Sequence, residues 1–246
     1  MANIVITGGS AGIGAALGEL LARRGDAVAL VARREKELRE AAARCGPGVL
    51  AIVADCTRRA EVRRAVAEAI AGLGHIDVWV NNAGRGISRN PTELTDDDLD
   101  EMFTVNVKSA FYGMQEVLPH FRSRGAGQIV NISTMLGRIP FFVPRAAYSA
   151  SKHFLNALTA NFRDELRASH PGIQVTLVSP GVVRTDFGLN AMHGGVDSRT
   201  LPESQSAEEV AAIIARAIDS RAADVYTPAN GRERVIQYYS TLGAGA

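Results

Sequence analysis

The sequence predicts an α/β fold: one doubly wound parallel β-sheet covered by helices on both faces. Three features carry that prediction. Short β-branched runs alternate with amphipathic stretches along most of the 246 residues. The runs are apolar almost throughout, not at every second position, as strands buried on both sides must be. No linker-like shift in composition interrupts the alternation, so residues 1–246 read as a single domain.

The elements follow in order. Asn3–Thr7 holds Ile4, Val5 and Ile6 in succession and is the first strand; Gly12–Arg24 is the first helix. Ala27–Ala32 is the second strand, with a helix over Arg34–Arg44. Val49–Ala54 is the third strand and Arg58–Leu73 its helix. Ile76–Asn81 is the fourth strand, leading through a loop to one long helical stretch, Asp96–Arg124. Gln128–Ser133 is the fifth strand, Ala147–Ser169 the next long helix, and Ile173–Ser179 the sixth strand. The rhythm breaks at Phe187–Ser206, rich in Gly, Asn, Ser and Thr and without a period, which reads as a mobile loop or small lid at about 187–206. A helix over Ala207–Ile218 and a strand over Asp224–Thr227 come next. The terminal Leu242–Ala246 is expected to fray.

Composition narrows the function. Hydrophobic residues make up 46%, charged residues 22%, and the formal net charge is +1 with no basic block. Neither nucleic acid nor an anionic membrane surface is an expected partner. The chain runs straight from Met1 into the first strand, and no apolar run nears the roughly 18 residues of a membrane span. A cytoplasmic location follows as the expectation. Cys45 and Cys56 form no C-x-x-C pair and read as two reduced thiols. The five histidines show no metal-ligand spacing, so no metal is expected.

Chemistry enters with a glycine loop, Thr7–Gly14, between the first strand and the first helix. There, backbone N–H groups and a helix N-terminus can hold a pyrophosphate. The spacing is G-x-x-x-G-x-G, which matches a Rossmann-type dinucleotide loop in placement but not in letter. Gly8, Ser10, Gly12, Ile13 and Gly14 are its candidate contacts. The second strand then selects the nucleotide. A carboxylate at its end would accept from an adenosine ribose; this chain has Ala32, Arg33 and Arg34 instead. A guanidinium can clamp a 2′-phosphate with bonds worth roughly 1.5–3 kcal/mol each, a preference for NADP(H) of about one to two powers of ten. The alternative is a solvated first helical turn, with pairs such as Arg33 and Glu37. Asp55, just past the third strand, is a candidate acceptor for the adenine amino group, or a cap for the helix after it.

Tyr148 and Lys152 are four residues apart and share one face of a helix. A cation so placed can lower the pKa of a phenol, ordinarily near 10. His153 lies about 100° round the same helix and reads as a packing residue.

Together, Thr7–Gly14, Asn81-Asn82-Ala83-Gly84, Asn106, Ser133, Tyr148-x-x-x-Lys152 and Pro180-Gly181 stand in the order of the short-chain dehydrogenase/reductase family, which the chain resembles from about Asn3 to Asp186. The resemblance implies hydride transfer between a nicotinamide cofactor and a carbonyl or alcohol, and the NADP(H) preference set by Arg33 and Arg34 leans it toward reduction of a ketone or aldehyde to an alcohol. Tyr148 would be the general acid, Lys152 would tune it and hold the nicotinamide ribose, and Ser133 would polarise the substrate oxygen. Asn106 would hold a water linking Lys152 to solvent. Asn82, Ala83 and Gly84 would wall the cofactor, and Pro180, Gly181, Val183 and Thr185 would fence the nicotinamide. The partner is then a small carbonyl or alcohol substrate.

The family's acyl-carrier reductases often end in a glycine-rich segment. This chain has Tyr226–Arg232 there, which weakens that assignment and a tetramer contact; a homodimer through the two long helices is the safer expectation, with a homotetramer as the other. Arg85–Ser88, Thr134–Pro144 and Phe187–Met192 are candidate pocket segments, with Phe141, Phe142, Phe187 and Met192 favouring an apolar substrate and Arg138 or Arg145 offering to hold an acidic tail. A 3-oxoacyl-thioester reductase, a hydroxysteroid-type dehydrogenase and a non-catalytic NADP sensor are the alternatives.

Overall fold

A computed structural model describes residues 1–242. Seven strands form one sheet: β1 (Asn3–Thr7), β2 (Ala27–Ala32), β3 (Leu50–Val53), β4 (Val78–Asn81), β5 (Gly127–Ile132), β6 (Ile173–Ser179) and β7 (Asp224–Tyr226). Their order is β3-β2-β1-β4-β5-β6-β7, and every pairing is parallel. The order reverses between β1 and β4, and a crevice opens above the carboxyl ends of the strands at such a reversal.

Alternation along β1 shows why the strands are apolar throughout. Ile4 and Ile6 enter the core beneath α1 (Gly12–Arg23), α2 (Glu35–Cys45) and α7 (Ala207–Ser220). Val5 enters the opposite core, under α3 (Arg59–Leu73), α5 (Ser109–Arg124) and α6 (Ala146–Ser169). One polar chain crosses that second core: Trp79 Nε1 donates to Asn81, Asn81 to Asn131 at 2.8 Å, and Asn131 to Thr159 on α6 at 2.9 Å. A buried chain with every partner satisfied fixes α6 against β4 and β5.

The structure departs from the sequence expectation in four places. The stretch 96–124 is not one helix: α4 (Asp96–Phe103) passes through a π-helical turn, Thr104–Lys108, into α5. β4 starts two residues later than expected, because the Ile76 N–H is diverted to His120 Nε2 at 3.0 Å. The stretch 187–206 is pinned at several points: Met192 pairs with Ile87, Gln205 with Val183, and a 3₁₀ turn spans Ser198–Thr200. Its His193 meets the buried Asp98 of α4 at 2.7 Å, and Arg199 binds both Asp186 and Asp197. Finally, an unforeseen helix, α8 (Gly231–Thr241), lies near the cleft, with the Tyr239 hydroxyl donating to the Arg138 carbonyl at 2.9 Å. The fraying expected of residues 243–246 lies outside the described residues. No helix among them is long and apolar enough to cross a membrane, and no cluster of side chains there could hold a metal ion.

Candidate active site

A cleft of about 1620 Å³ opens over the β1/β4 reversal. At one end the turn from β1 into α1 leaves a cradle. Gly8 has φ +67°, and a Cβ there would stand 2.9 Å from Asn82 Nδ2. A Cβ on Gly14 would collide with the Gly8 carbonyl oxygen. Asn82 braces the cradle by donating to the carbonyls of Thr7 and Gly8 at 3.0 and 3.2 Å. The N-terminus of α1 is left bare, for Ala11 provides no side-chain cap and the first turn has no acid. By contrast, α4 and α7 each carry a complete capping box and two or three acids. Uncapped N–H groups at the positive end of a helix favour an anion. The cradle therefore fits a dinucleotide pyrophosphate on the shape and charge of this loop.

Farther along, Arg33 and Arg34 rise from the end of β2 and line the cleft with Asp55. Both are exposed. Arg34 pairs with Glu37 at 3.2 Å, while Arg33 reaches Asp55 at 3.8 Å, so the expected Arg33–Glu37 pair is replaced by these two. Asp55 Oδ1 accepts from the N–H and hydroxyl of Thr57 at 2.9 and 2.7 Å, a turn that precedes α3 without capping it.

At the other end, α6 turns Tyr148, Lys152 and Asn156 to one side, as a four-residue spacing requires. The Lys152 ammonium donates to the Ile132 carbonyl at 2.9 Å and lies 5.9 Å from the centre of the Tyr148 ring. Both side chains are buried. Burial pushes the Tyr148 phenol up to about 12, against the opposing pull of the Thr134 hydroxyl and the Arg145 charge. Burial draws Lys152 down to about 8. Desolvation thus outweighs any lowering of the phenol pKa by the ammonium in the protein alone, and Tyr148 keeps its proton at neutral pH.

Two hydroxyls follow β5, and they do different work. Ser133 lies 2.5 Å from Asn156 Oδ1. Asn156 Nδ2 donates to the Gly137 carbonyl at 2.6 Å, which fixes the amide and makes Ser133 the donor. Its proton is held by α6, away from the phenol. The neighbour of the Tyr148 phenol is the Thr134 hydroxyl, which also accepts from the Leu136 N–H at 3.3 Å. The hydroxyl beside the phenol is thus that of Thr134, one residue past Ser133.

Asn106 sits on the π-helical turn and is fully buried. Its side chain accepts from the Arg85 N–H and donates to the Arg85 carbonyl, both at 2.9 Å, pinning the loop after β4. A Cβ on Gly84 would lie 3.0 Å from Asn106 Oδ1 and 3.6 Å from Lys152 Nζ, which keeps this wall thin. Opposite, the Pro180 carbonyl accepts from Met135 at 2.7 Å and Gly181 donates to Thr227 at 3.3 Å. Val183 pairs with Gln205, and a Cβ on Gly12 would lie 3.3 Å from Thr185 Cγ2. Ser10, Ile13 and Ala83 line the same cleft.

The matches to known proteins agree with this geometry. The family model for short chain dehydrogenase matches residues 2–193. The chain belongs to the short-chain dehydrogenase family. An uncharacterized oxidoreductase of Staphylococcus epidermidis is 33% identical over 190 residues, covering 75% of this chain and 81% of its own length. A short-chain dehydrogenase from Sphingobium yanoikuyae in complex with NADPH is 31% identical, with a TM-score of 0.82 over 100% of this chain and 96% of that one. A family member from Burkholderia phymatum in complex with NAD has a TM-score of 0.88 at 23% identity, over 98% and 94% of the two chains, and speaks for the fold.

In this short-chain dehydrogenase, part of the expected substrate lining moves. Phe141, Phe142, Phe187 and Leu136 line the cleft, and Phe187 packs against Tyr148 with ring centres 5.5 Å apart and planes tilted by 56°. Met192 does not join them. It packs behind the site against the cluster of Ile87, Met102, Ala147 and Tyr148. Arg138 is engaged elsewhere, by Ser179 at 3.0 Å, by Asp224 and over the Tyr226 ring at 5.1 Å. The sequence places Thr134 only at the start of a candidate pocket segment, and it did not mark Asn156 as a neighbour of the reacting groups. It also missed Arg234 of α8, which covers Phe141 at 5.3 Å. Asn156 had a signal: it lies four residues past Lys152 on the face already marked by Tyr148.

Proposed function

We propose that this oxidoreductase reduces a ketone or aldehyde to an alcohol with NADP(H), and that Tyr148 is its general acid. The observation that carries the proposal is a phenol kept protonated by burial, flanked by a second hydroxyl and a buried ammonium, at the wall of a cleft that begins in a phosphate cradle. The cradle would hold the pyrophosphate of the cofactor, which would supply the hydride. Negative charge builds on the carbonyl oxygen as hydride arrives, and donors fixed beforehand stabilise it most where it develops. Tyr148 gives its proton to that oxygen, and Thr134 donates the second hydrogen bond. Lys152, anchored on the Ile132 carbonyl, holds the ribose hydroxyls and offsets the phenolate charge. Ser133 acts through Asn156 as a positioning residue. The Asn106 side chain is held by Arg85, and the π-helical turn loosens its backbone carbonyl, which would be the acceptor for a water that serves Lys152.

Arg33 and Arg34 support the NADP(H) preference, since β2 ends without a carboxylate and both guanidinium groups are exposed at the adenosine end. The NADPH bound by the Sphingobium yanoikuyae dehydrogenase supports the same choice. Phe141, Phe142 and Phe187 favour a substrate with an apolar body, which leaves hydroxysteroid-type and 3-oxoacyl-thioester substrates as neighbouring classes. Residues 1–246 act as one domain in this reading, with 187–206 as the lid over the substrate. The exposed Phe103–Phe154 pair on α4 and α6, 5.1 Å apart edge to face, favours a homodimer through the long helices, and two free buried cysteines suit the cytoplasm.

The test is a panel of ketones and aldehydes run with NADPH and with NADH, followed by nicotinamide absorbance. Turnover with NADPH preferred is expected. Tight NADPH binding without turnover of any carbonyl would favour the sensor instead.

A further inference from the structure

One charged group at the substrate end of the cleft has no counter-charge. Arg145 is only 9% exposed, stands three residues before Tyr148 and lines the same cleft. Its guanidinium makes no hydrogen bond or ion pair with any described residue, and Nη1 is buried without a polar partner. The acids of the surrounding segments are already committed. Asp98 is held by Arg89 and His193, each at 2.7 Å; Asp186 and Asp197 are held by Arg199; Glu101 is held by Arg85 at 3.3 Å.

The backbone around this group makes room for it. A Cβ on Gly86 would collide with Arg145 Nη1 and stand 3.0 Å from Phe187 Cε1. A Cβ on Gly195 would stand 2.8 Å from Nη2, and one on Gly188 3.8 Å from it. Glycines from two segments, one after β4 and one in the lid, thus admit the guanidinium fork. A lone charge is among the costliest groups to bury, and arginine does not escape that cost by losing its proton. Burial does pull its pKa below the ordinary arginine value, with Tyr148 opposing.

The geometry points to an anion subsite: Arg145 receives the carboxylate of an oxo-acid substrate whose carbonyl lies at Tyr148 and whose apolar body runs along Phe187. The planar fork suits a carboxylate, which can accept two parallel N–H···O bonds from it. The inference rests on the carbonyl-reductase reading above and names its substrate class.

Binding and turnover are tested separately. In calorimetry without cofactor, phenylacetate should bind the wild-type chain about ten- to a hundredfold more tightly than phenylacetamide, the span a charge-assisted pair provides. Arg145→Met should erase that difference, and Arg145→Lys should restore part of it. Removing an unpaired buried charge should leave the melting temperature of Arg145→Met equal or higher, which excludes misfolding as the cause. In turnover, Arg145→Met should lower kcat/KM for an aryl oxo acid by the same factor and leave its methyl ester within about threefold.

Equal binding of acid and amide by the wild type would overturn the subsite. Tighter binding of phenylphosphonate than of phenylacetate would move the class to phosphorylated substrates and overturn the carboxylate assignment. Equal losses for acid and ester would make Arg145 a residue that tunes Tyr148, which also overturns it. If neither compound turns over but the acid–amide difference stands and needs Arg145, the reductase reading fails and the anion site survives.

Discussion

Thr134→Val tests which hydroxyl polarises the substrate. Valine keeps the shape of threonine and removes the hydroxyl, as donor and as acceptor of the Leu136 N–H. The structure sets the comparison, because Ser133 has already given its proton to Asn156 at 2.5 Å, while the Thr134 hydroxyl stands beside the Tyr148 phenol. Loss of one preset donor to a developing oxyanion costs about 10²–10³ in kcat. Thr134→Val should show that loss with KM little changed, and Thr134→Ser should recover most of it. Ser133→Ala removes a different thing. It leaves Asn156 Oδ1 without its donor and should cost about 1–3 kcal/mol of stability, with kcat falling less than about tenfold because Lys152 and Tyr148 keep their places. Steady-state kinetics on one ketone, together with denaturant melts of all three variants, reads both effects. A kcat for Ser133→Ala lower than that for Thr134→Val, at similar stability, would refute the assignment.

Two further outcomes follow from the charges. Arg33→Asp should weaken NADPH by about one to two powers of ten and leave NADH within a few-fold, read by fluorescence titration; equal losses would remove the 2′-phosphate contact. On the pH axis, Tyr148 keeps its proton up to about 12 and Lys152 loses its own near 8, so carbonyl reduction should fall above pH about 8 while the fold stays intact. The sign for stability is the reverse across that range: between the folded Lys152 value of about 8 and its unfolded value of 10.5 the unfolded chain binds more protons at this residue. Melting temperature should therefore rise with pH between about 8 and 9, above which the buried Cys56 thiol and then Tyr148, both raised to about 12 in the fold, pull stability the other way; Lys152→Met should abolish the rise.

The fold was legible because its strands are buried on both faces. Ile4-Val5-Ile6 can be nothing but a doubly covered strand once a helix follows, and β1, β2 and β6 start and end where the apolar runs do. What escaped the sequence depends on contacts between distant segments. The break in 96–124 arises where Asn106 grips the backbone of Arg85, and no local pattern records that grip. The order in 187–206 comes from Asp98, ninety-five positions before His193, and from Arg199 binding Asp186 and Asp197. Within the site, Tyr148 and Lys152 were legible from spacing alone. The choice between Ser133 and Thr134 was not, because adjacent hydroxyls at the end of a strand point to opposite sides and only Asn156 on α6 decides which is occupied. Arg138 and Arg145 looked equivalent in the chain, and Asp224 on the last strand separates them.

The account stands on the phenolic proton of Tyr148. Replacing it by Tyr148→Phe leaves the ring that packs on Phe187 and removes the hydroxyl alone. Single-turnover reduction of a ketone by bound NADPH should slow by at least ~10²-fold, while NADPH still binds. Reduction at a near-normal rate by this variant would contradict it.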